Sequence, residues 1–231
     1  YMPLDPTWVP FCRELWSSAE QQQNYLPGVP EGSDLCITPV SAPENHYVRI
    51  KADNRLEADG TLRGTFTLTA EGQSDSNIRR IFTTGFQSEW KSTMERQLLA
   101  ISPKARLLSV DYGKNPKDYQ AAPIKITFRY EIPDYALKGE GEMFFRPMVM
   151  NNFYNQVRSY MWIDTSVENR KYGFKDGCSR LVELDETIQL PAGYKLVSAA
   201  KDETMQGVGA DFEGSLVQKG NKVLLHNRLA L

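Results

Sequence analysis

Covalent chemistry by a thiol needs a general base within hydrogen-bond reach and an acceptor behind that base to orient it. The chain carries these residue types sparsely: three cysteines, Cys12, Cys36 and Cys178; two histidines, His46 and His226; and Asp5, at the end of an apolar run and followed by Pro6 and Thr7. A self-contained triad would have to join one of those thiols and one of those rings to Asp5. As a bare pattern, Leu4-Asp5-Pro6-Thr7 reads as a strand end followed by a turn whose φ is fixed by proline. His46 and His226 read as strand residues at a sheet surface. The odd cysteine count, with no Cys-x-x-Cys pair, argues against a zinc knuckle or a disulfide scaffold. A Cys12 to Cys36 bridge is sterically open in an oxidising compartment.

Metal and cofactor chemistry finds no pattern to work with. There is no His-x-x-x-His and no Asp-x-Asp-x-Asp-Gly loop, and Glu183, Asp185 and Glu186 read as a solvated strand face, so neither a metal nor a cofactor is expected. Gly139/Gly141 and Gly207/Gly209 lack the strand-to-helix setting of a phosphate cradle and read as turns. Tyr154, Tyr160 and Trp162, with Phe153 and the amides of Asn151, Asn152, Asn155 and Gln156 interleaved, are of the types that stack on sugar rings and bond their hydroxyls. The same rings could instead close a core.

The bulk numbers set the frame. With 231 residues, 41% hydrophobic and 24% charged, the chain is long and apolar enough to fold, and disorder is not expected. A net charge of -2 with no Lys/Arg run argues against a nucleic-acid partner. No apolar stretch approaches the ~20 residues of a membrane span.

Elements follow from periodicity. Residues 8–44 pass from Trp8, Phe11, Leu15 and Trp16 into a stretch rich in Pro and Gly, which reads as a packed connector. Residues 46–52 and 62–69 alternate around Ala58-Asp59-Gly60, the signature of a hairpin. Ile78, Ile81, Phe82, Phe86, Trp90, Met94 and Leu98, behind Ser74-Asp75-Ser76, predict one long amphipathic helix near 77–101. Further strands are expected at 105–112, 124–132, 140–146, 180–190, 194–198, 209–218 and 222–231. Together these predict a mainly β, α+β domain: an antiparallel β-sandwich carrying one helix. The division expected is 1–44 and 45–231. The final run, Val223 to Leu231, has no closing turn or polar tail, so the chain is expected to continue beyond both ends.

Three segments together carry a family resemblance: Leu4-Asp5-Pro6-Thr7, then Leu26-Pro27-Gly28, then Gly32-Ser33-Asp34-Leu35-Cys36-Ile37-Thr38-Pro39. They resemble the tail of a transglutaminase-like cysteine-enzyme core in exported bacterial multidomain proteins. Phe128-Arg129-Tyr130-Glu131-Ile132-Pro133 and Glu186 to Tyr194 resemble the β-rich domain that follows such a core. The resemblance implies that Asp5 would orient a catalytic His, with the matching Cys and His lying upstream of this chain. It also implies a periplasmic or envelope location, and the missing core as partner. The expectation is a non-catalytic accessory domain that positions or shields the core or presents substrate to it. A glycan-binding module using Tyr154, Tyr160 and Trp162, or an assembly domain, are the alternatives.

Overall fold

A computed structural model describes residues 21–118, 122–151, 169, 171–172 and 178–231. Two short strands, β1 (Asn24–Tyr25) and β2 (Cys36–Ile37), pair within the connector as a separate antiparallel ribbon. The predicted hairpin is β3 (Tyr47–Leu56) with β4 (Leu62–Ala70). Its turn uses Gly60 at φ +88°, and the Asp59 carboxylate accepts from the Thr61 amide at 2.9 Å.

Two helices follow, α1 (Gly72–Thr83) and α2 (Trp90–Leu99), then β5 (Arg106–Asp111) and β6 (Ile124–Ile132). β7 (Leu137–Lys138) and β8 (Met143–Phe144) make a second two-stranded ribbon. β9 (Leu181–Gln189), β10 (Glu203–Gln206), β11 (Asp211–Lys219) and β12 (Lys222–Ala230) complete the fold.

Eight strands form one mixed sheet in the order β10-β11-β12-β9-β3-β4-β6-β5. Every pair is antiparallel except β3 with β9, which run parallel and join the N-terminal and C-terminal halves. Period-2 alternation gives the sheet two unlike faces. Ile50, Leu56, Phe66, Phe128, Leu184 and Ile188 point inward, and Arg49, Lys51, Thr67, Arg129 and Asp185 point to the open side. Phe82, Trp90, Met94 and Leu98 of the helices close over the β3–β4–β6–β5 half, where Phe66 and Phe128 stack at 4.4 Å.

The mainly β, α+β class is what the structure shows; the layering differs. One sheet with helices on one face replaces the antiparallel sandwich, and the predicted long helix is two short ones. The reason lies in the spacing: a four-residue repeat advances about 40° per step around an α-helix, so 78–82–86–90–94–98 cannot stay on one face of a straight rod. The chain breaks at Gly85-Phe86, where Phe86 turns extended and is left exposed, and a new helix starts at Trp90.

Ser74 and Asp75, expected as caps, lie inside α1 and serve tertiary bonds instead. Ser74 Oγ donates to the His46 carbonyl at 2.8 Å, and Asp75 Oδ1 accepts from the Ile124 amide at 2.6 Å. Two expected strands are also shorter or missing. Only Met143–Phe144 of 140–146 pairs, and 194–198 is coil because the Leu196 amide donates to the Gln218 side chain rather than to a neighbouring strand.

Asp75 and Arg79 form a buried pair, Nε to Oδ2 at 2.6 Å, with side chains 0% and 4% exposed. The remaining guanidinium donors bond the carbonyls of Pro116, Asp118 and Ala122, so the pair ties α1 to the loop before β6. Removing one partner leaves an uncompensated charge in the interior. Asp75→Asn is expected to lose about 3–5 kcal/mol in urea unfolding. Glu95→Gln, which breaks the exposed Lys91–Glu95 pair, should change stability by less than about 0.5 kcal/mol. Equal effects from the two would refute the assignment.

Candidate binding groove

The inner face of the sheet is covered unequally. Over the C-terminal half, the cover among the described residues consists of an arm at residues 145–151, entered from β8, and the coil after Leu190. Between them lies an apolar recess of about 310 Å³ lined by Leu56, Phe145, Leu190, Tyr194, Val197 and Leu216. It shares Phe145, Pro147, Ser198 and Leu216 with a wider recess of about 570 Å³, which adds Arg146, Lys201, Glu203 and Asn227. The two make one groove, with the arm as a wall. Val197, in its lining, is 82% exposed.

The arm is held to the sheet by a buried polar cluster. Glu186 of β9 is 2% exposed. Its Oε1 accepts from Asn54 Nδ2 at 2.7 Å and its Oε2 from the Val149 amide at 3.1 Å. Tyr130 Oη donates to Asn54 Oδ1 at 2.5 Å. Tyr135 Oη donates to the Arg146 carbonyl and accepts from Asn151 Nδ2 at 2.7 Å. Asn227 Nδ2 reaches Met150 Sδ at 3.0 Å. Burial pushes the Glu186 carboxyl above the usual carboxylate range, against the donors that act to lower it. Burial, and next the negative charge of Glu186, raise both Tyr130 and Tyr135.

Gly64 makes this cluster possible. It stands in β4 directly between Asn54 of β3 and Tyr130 of β6. A Cβ there would lie 1.9 Å from Asn54 Oδ1 and 2.4 Å from the Asp53 carbonyl. Without a side chain, the Tyr130 hydroxyl crosses over β4 to Asn54. A glycine inside an alternating strand signals such a close approach, and sequence reasoning passed over it.

Glu183, Asp185 and Glu186 do not share a solvated face. Glu183 and Asp185 point to the open side, whereas Glu186 is one residue out of phase and buried. His46 corrects another expectation: it ends a turn at Pro43–His46 and is fully buried, not on the sheet surface. Its Nδ1 accepts from the Gln73 amide at 3.2 Å.

His226 does lie on the open face, with Nδ1 2.8 Å from Asp185 Oδ1. Ser215 is its neighbour on β11. No hydrogen bond joins Ser215 to the ring among the described residues, and the surrounding strand amides are engaged in pairing. No donors there are aimed at an oxyanion.

Cys36 and Cys178 carry thiols, not disulfides. Asp5, Cys12, Tyr154, Tyr160 and Trp162 lie outside the described residues. Among the described residues no three His, Cys, Asp or Glu gather as a metal site would require, and no helix is long and apolar enough to cross a membrane. The chain matches no family model, no curated protein and no solved structure.

Two predictions follow from the buried polar groups. Gly64→Ala is expected to destabilise by about 1–3 kcal/mol in urea unfolding, through overpacking against Asn54. In combination with Asn54→Ala its cost should fall below the sum of the single effects; strict additivity would refute the contact.

The second prediction concerns pH. Burial, and next the charge of Arg180, lower His46 from 6.5 to about 4. The folded state then binds fewer protons than the unfolded state between those values, so the stabilising contribution is complete above about 6.5 and is lost as pH falls toward 4. Glu186, shifted upward, acts with the opposite sign. The urea midpoint of His46→Gln should therefore fall less steeply than wild type over this window. Parallel pH curves would refute the assignment.

Proposed function

We propose that the chain is a non-catalytic accessory domain that docks an extended protein segment in the groove. The observation that carries the reading is the cover of the sheet among the described residues: helices over one half, and over the other an arm and a coil beside a recess whose lining leaves Phe144 and Val197 exposed. The occupant that fits is a segment with an apolar side chain close to a single carboxylate. Its apolar part meets Phe144, Val197 and Leu216, and its acid meets Arg146 and Lys201, neither of which forms an ion pair among the described residues. Glu203, in the same lining, repels a second acid.

The parent we propose is a transglutaminase-like protein of the periplasm or cell envelope, and the docked segment belongs to its core or to a protein substrate presented to that core. Support for this comes from the resemblance of Leu4-Asp5-Pro6-Thr7 to the strand end that presents a triad aspartate, and from Phe128 to Pro133 and Glu186 to Tyr194 beyond it. The reading frame upstream of Tyr1 should then encode a Cys and a His. A frame lacking them overturns the parentage and leaves the docking reading standing.

Selection of displayed random peptides on the chain should enrich an aliphatic or aromatic residue near one Asp or Glu. Arg146→Glu or Lys201→Glu should weaken those peptides about tenfold or more. Peptides indifferent to both substitutions would overturn the docking geometry.

A further inference from the structure

An antiparallel ladder turns the N–H and C=O of successive residues alternately toward one neighbour and the other. The sheet ends at β10, which pairs with β11 on one side and with no strand among the described residues on the other. The Gly207 amide donates to the Ala210 carbonyl at 3.0 Å and closes the β10–β11 turn, so Gly207, Met205 and Glu203 bond inward, to β11. The Leu216 amide, two residues beyond Gly214, agrees with that phase from the other strand: it points toward the β10 side and donates to Asp202 Oδ1 at 3.2 Å. Thr204 and Gln206 therefore present their N–H and C=O groups to the outer edge, and none of these forms a hydrogen bond among the described residues.

The two edges of the sheet are finished differently. At the other edge β5 follows Pro103, carries a register break between Leu107 and Ser109, puts Arg106 on Glu131 and has α2 packed against it. Bulges, prolines and charges of this kind interrupt the row of groups that a further strand would need. Within β10 the register runs unbroken from Glu203 to Gln206, with no Pro, Lys or Arg, and all of its residues are exposed. Its inner-face residues are Glu203 and Met205, opposite Gly214 and Phe212. Glu203, Phe212 and Gly214 line the wider recess, and Met205, 62% exposed, carries the apolar surface to the edge.

We propose that the segment docked in the groove is held as an added antiparallel strand on β10: its main chain hydrogen-bonds Thr204 and Gln206, and every second side chain turns to the face of the sheet that carries the recess. This mode of binding rests on the docking reading above. An extended polypeptide is the ligand whose donors and acceptors repeat at the spacing of such an edge. Antiparallel order continues that of β10, β11, β12 and β9, and lets each bonded residue of the segment exchange two hydrogen bonds with the residue opposite. Residues of the segment that bond Thr204 and Gln206 then share the open face with those side chains. The residues between them face the groove, beside Met205 and Glu203. The main chain fixes the register, and the side chains in the groove select the sequence.

The peptides enriched on the whole chain by display test this geometry. Each is scanned twice, once by alanine and once by N-methylation, which removes one backbone donor and leaves the side chain in place. Positions that lose about tenfold or more on N-methylation should alternate, and should fall between those that lose as much on change to alanine. Thr204→Pro and Gln206→Pro each remove an outward N–H and spare the ladder to β11, so each should weaken the same peptides about tenfold with the urea midpoint unchanged. If either variant fails to fold, the two scans decide, because they leave the protein unaltered. N-methylation without effect at every position, sensitive positions that coincide in the two scans, or wild-type affinity in both proline variants would overturn strand addition. Any of these beside weakening by Arg146→Glu or Lys201→Glu leaves the groove reading standing. Alternation with indifference to both of those substitutions keeps the edge and removes the groove, and an empty selection overturns both.

Discussion

Parallel strands cannot be joined by a tight turn, and β3 and β9 lie parallel at the centre of the sheet. The chain must therefore make a long excursion between Leu56 and Leu181 before it can close that pair. Much of what covers the inner face is this excursion. The β3–β4 hairpin, both helices, β5, β6 and the arm all precede β9 in sequence; after β9 the chain crosses to the far edge at β10 and returns through β11 to β12, which pairs with β9. Among the described residues, the excursion covers its own half of the sheet with helices and reaches past the seam with the arm. The C-terminal half brings no helix of its own among the described residues, and the coil between β9 and β10 crosses it instead. The groove is a consequence of that topology.

Segments laid over a sheet need anchors, and here each anchor is a buried polar group. Apolar contacts are non-directional and would let a short arm slide, whereas hydrogen bonds in a low-dielectric interior fix position. Arg79 fixes the loop before β6 through three carbonyls; His46 and its carbonyl fix the start of α1; Glu186 fixes the arm through the Val149 amide. The three differ in charge balance. Asp75 and Arg79 neutralise each other, His46 stays neutral through its lowered pKa, and Glu186 alone has no opposing charge.

The strands were legible where one face is buried and the other wet. Ile124–Ile132 alternates cleanly, as does Tyr47–Leu56, because each residue on the inner side packs and each on the outer side is solvated. Legibility failed where a residue served a partner distant in sequence. Ser74 and Asp75 look like caps from their neighbours alone, yet their bonds go to His46 and Ile124. Gly64 looks like a weak strand residue until Asn54 and Tyr130 are known to flank it. The groove could not be read at all, because its lining comes from β3, the arm and the coil after Leu190, which only the folded chain brings together. Glu186 was within reach: its phase against Glu183 and Asp185 already places it on the opposite face.

The two faces of the sheet offer different chemistry, and the contrast bears on what the domain can recognise. The open face carries ion pairs, Arg49 on Glu183 and Arg63 and Arg106 on Glu131, and a hydrogen bond between His226 and Asp185. A partner docking there would have to displace bonds that the strands already satisfy, for little net gain. In the groove, by contrast, Phe144 and Val197 are exposed apolar lining beside the half-buried Leu216, and Arg146 and Lys201 form no ion pair among the described residues. Burial of that lining by a partner is favourable in proportion to the apolar area covered. The arm makes up one wall and is held by Glu186, Tyr135 and Asn227 and by the buried side chains of Met148 and Val149, so the shape of the surface best suited to a partner depends on contacts that lie behind it.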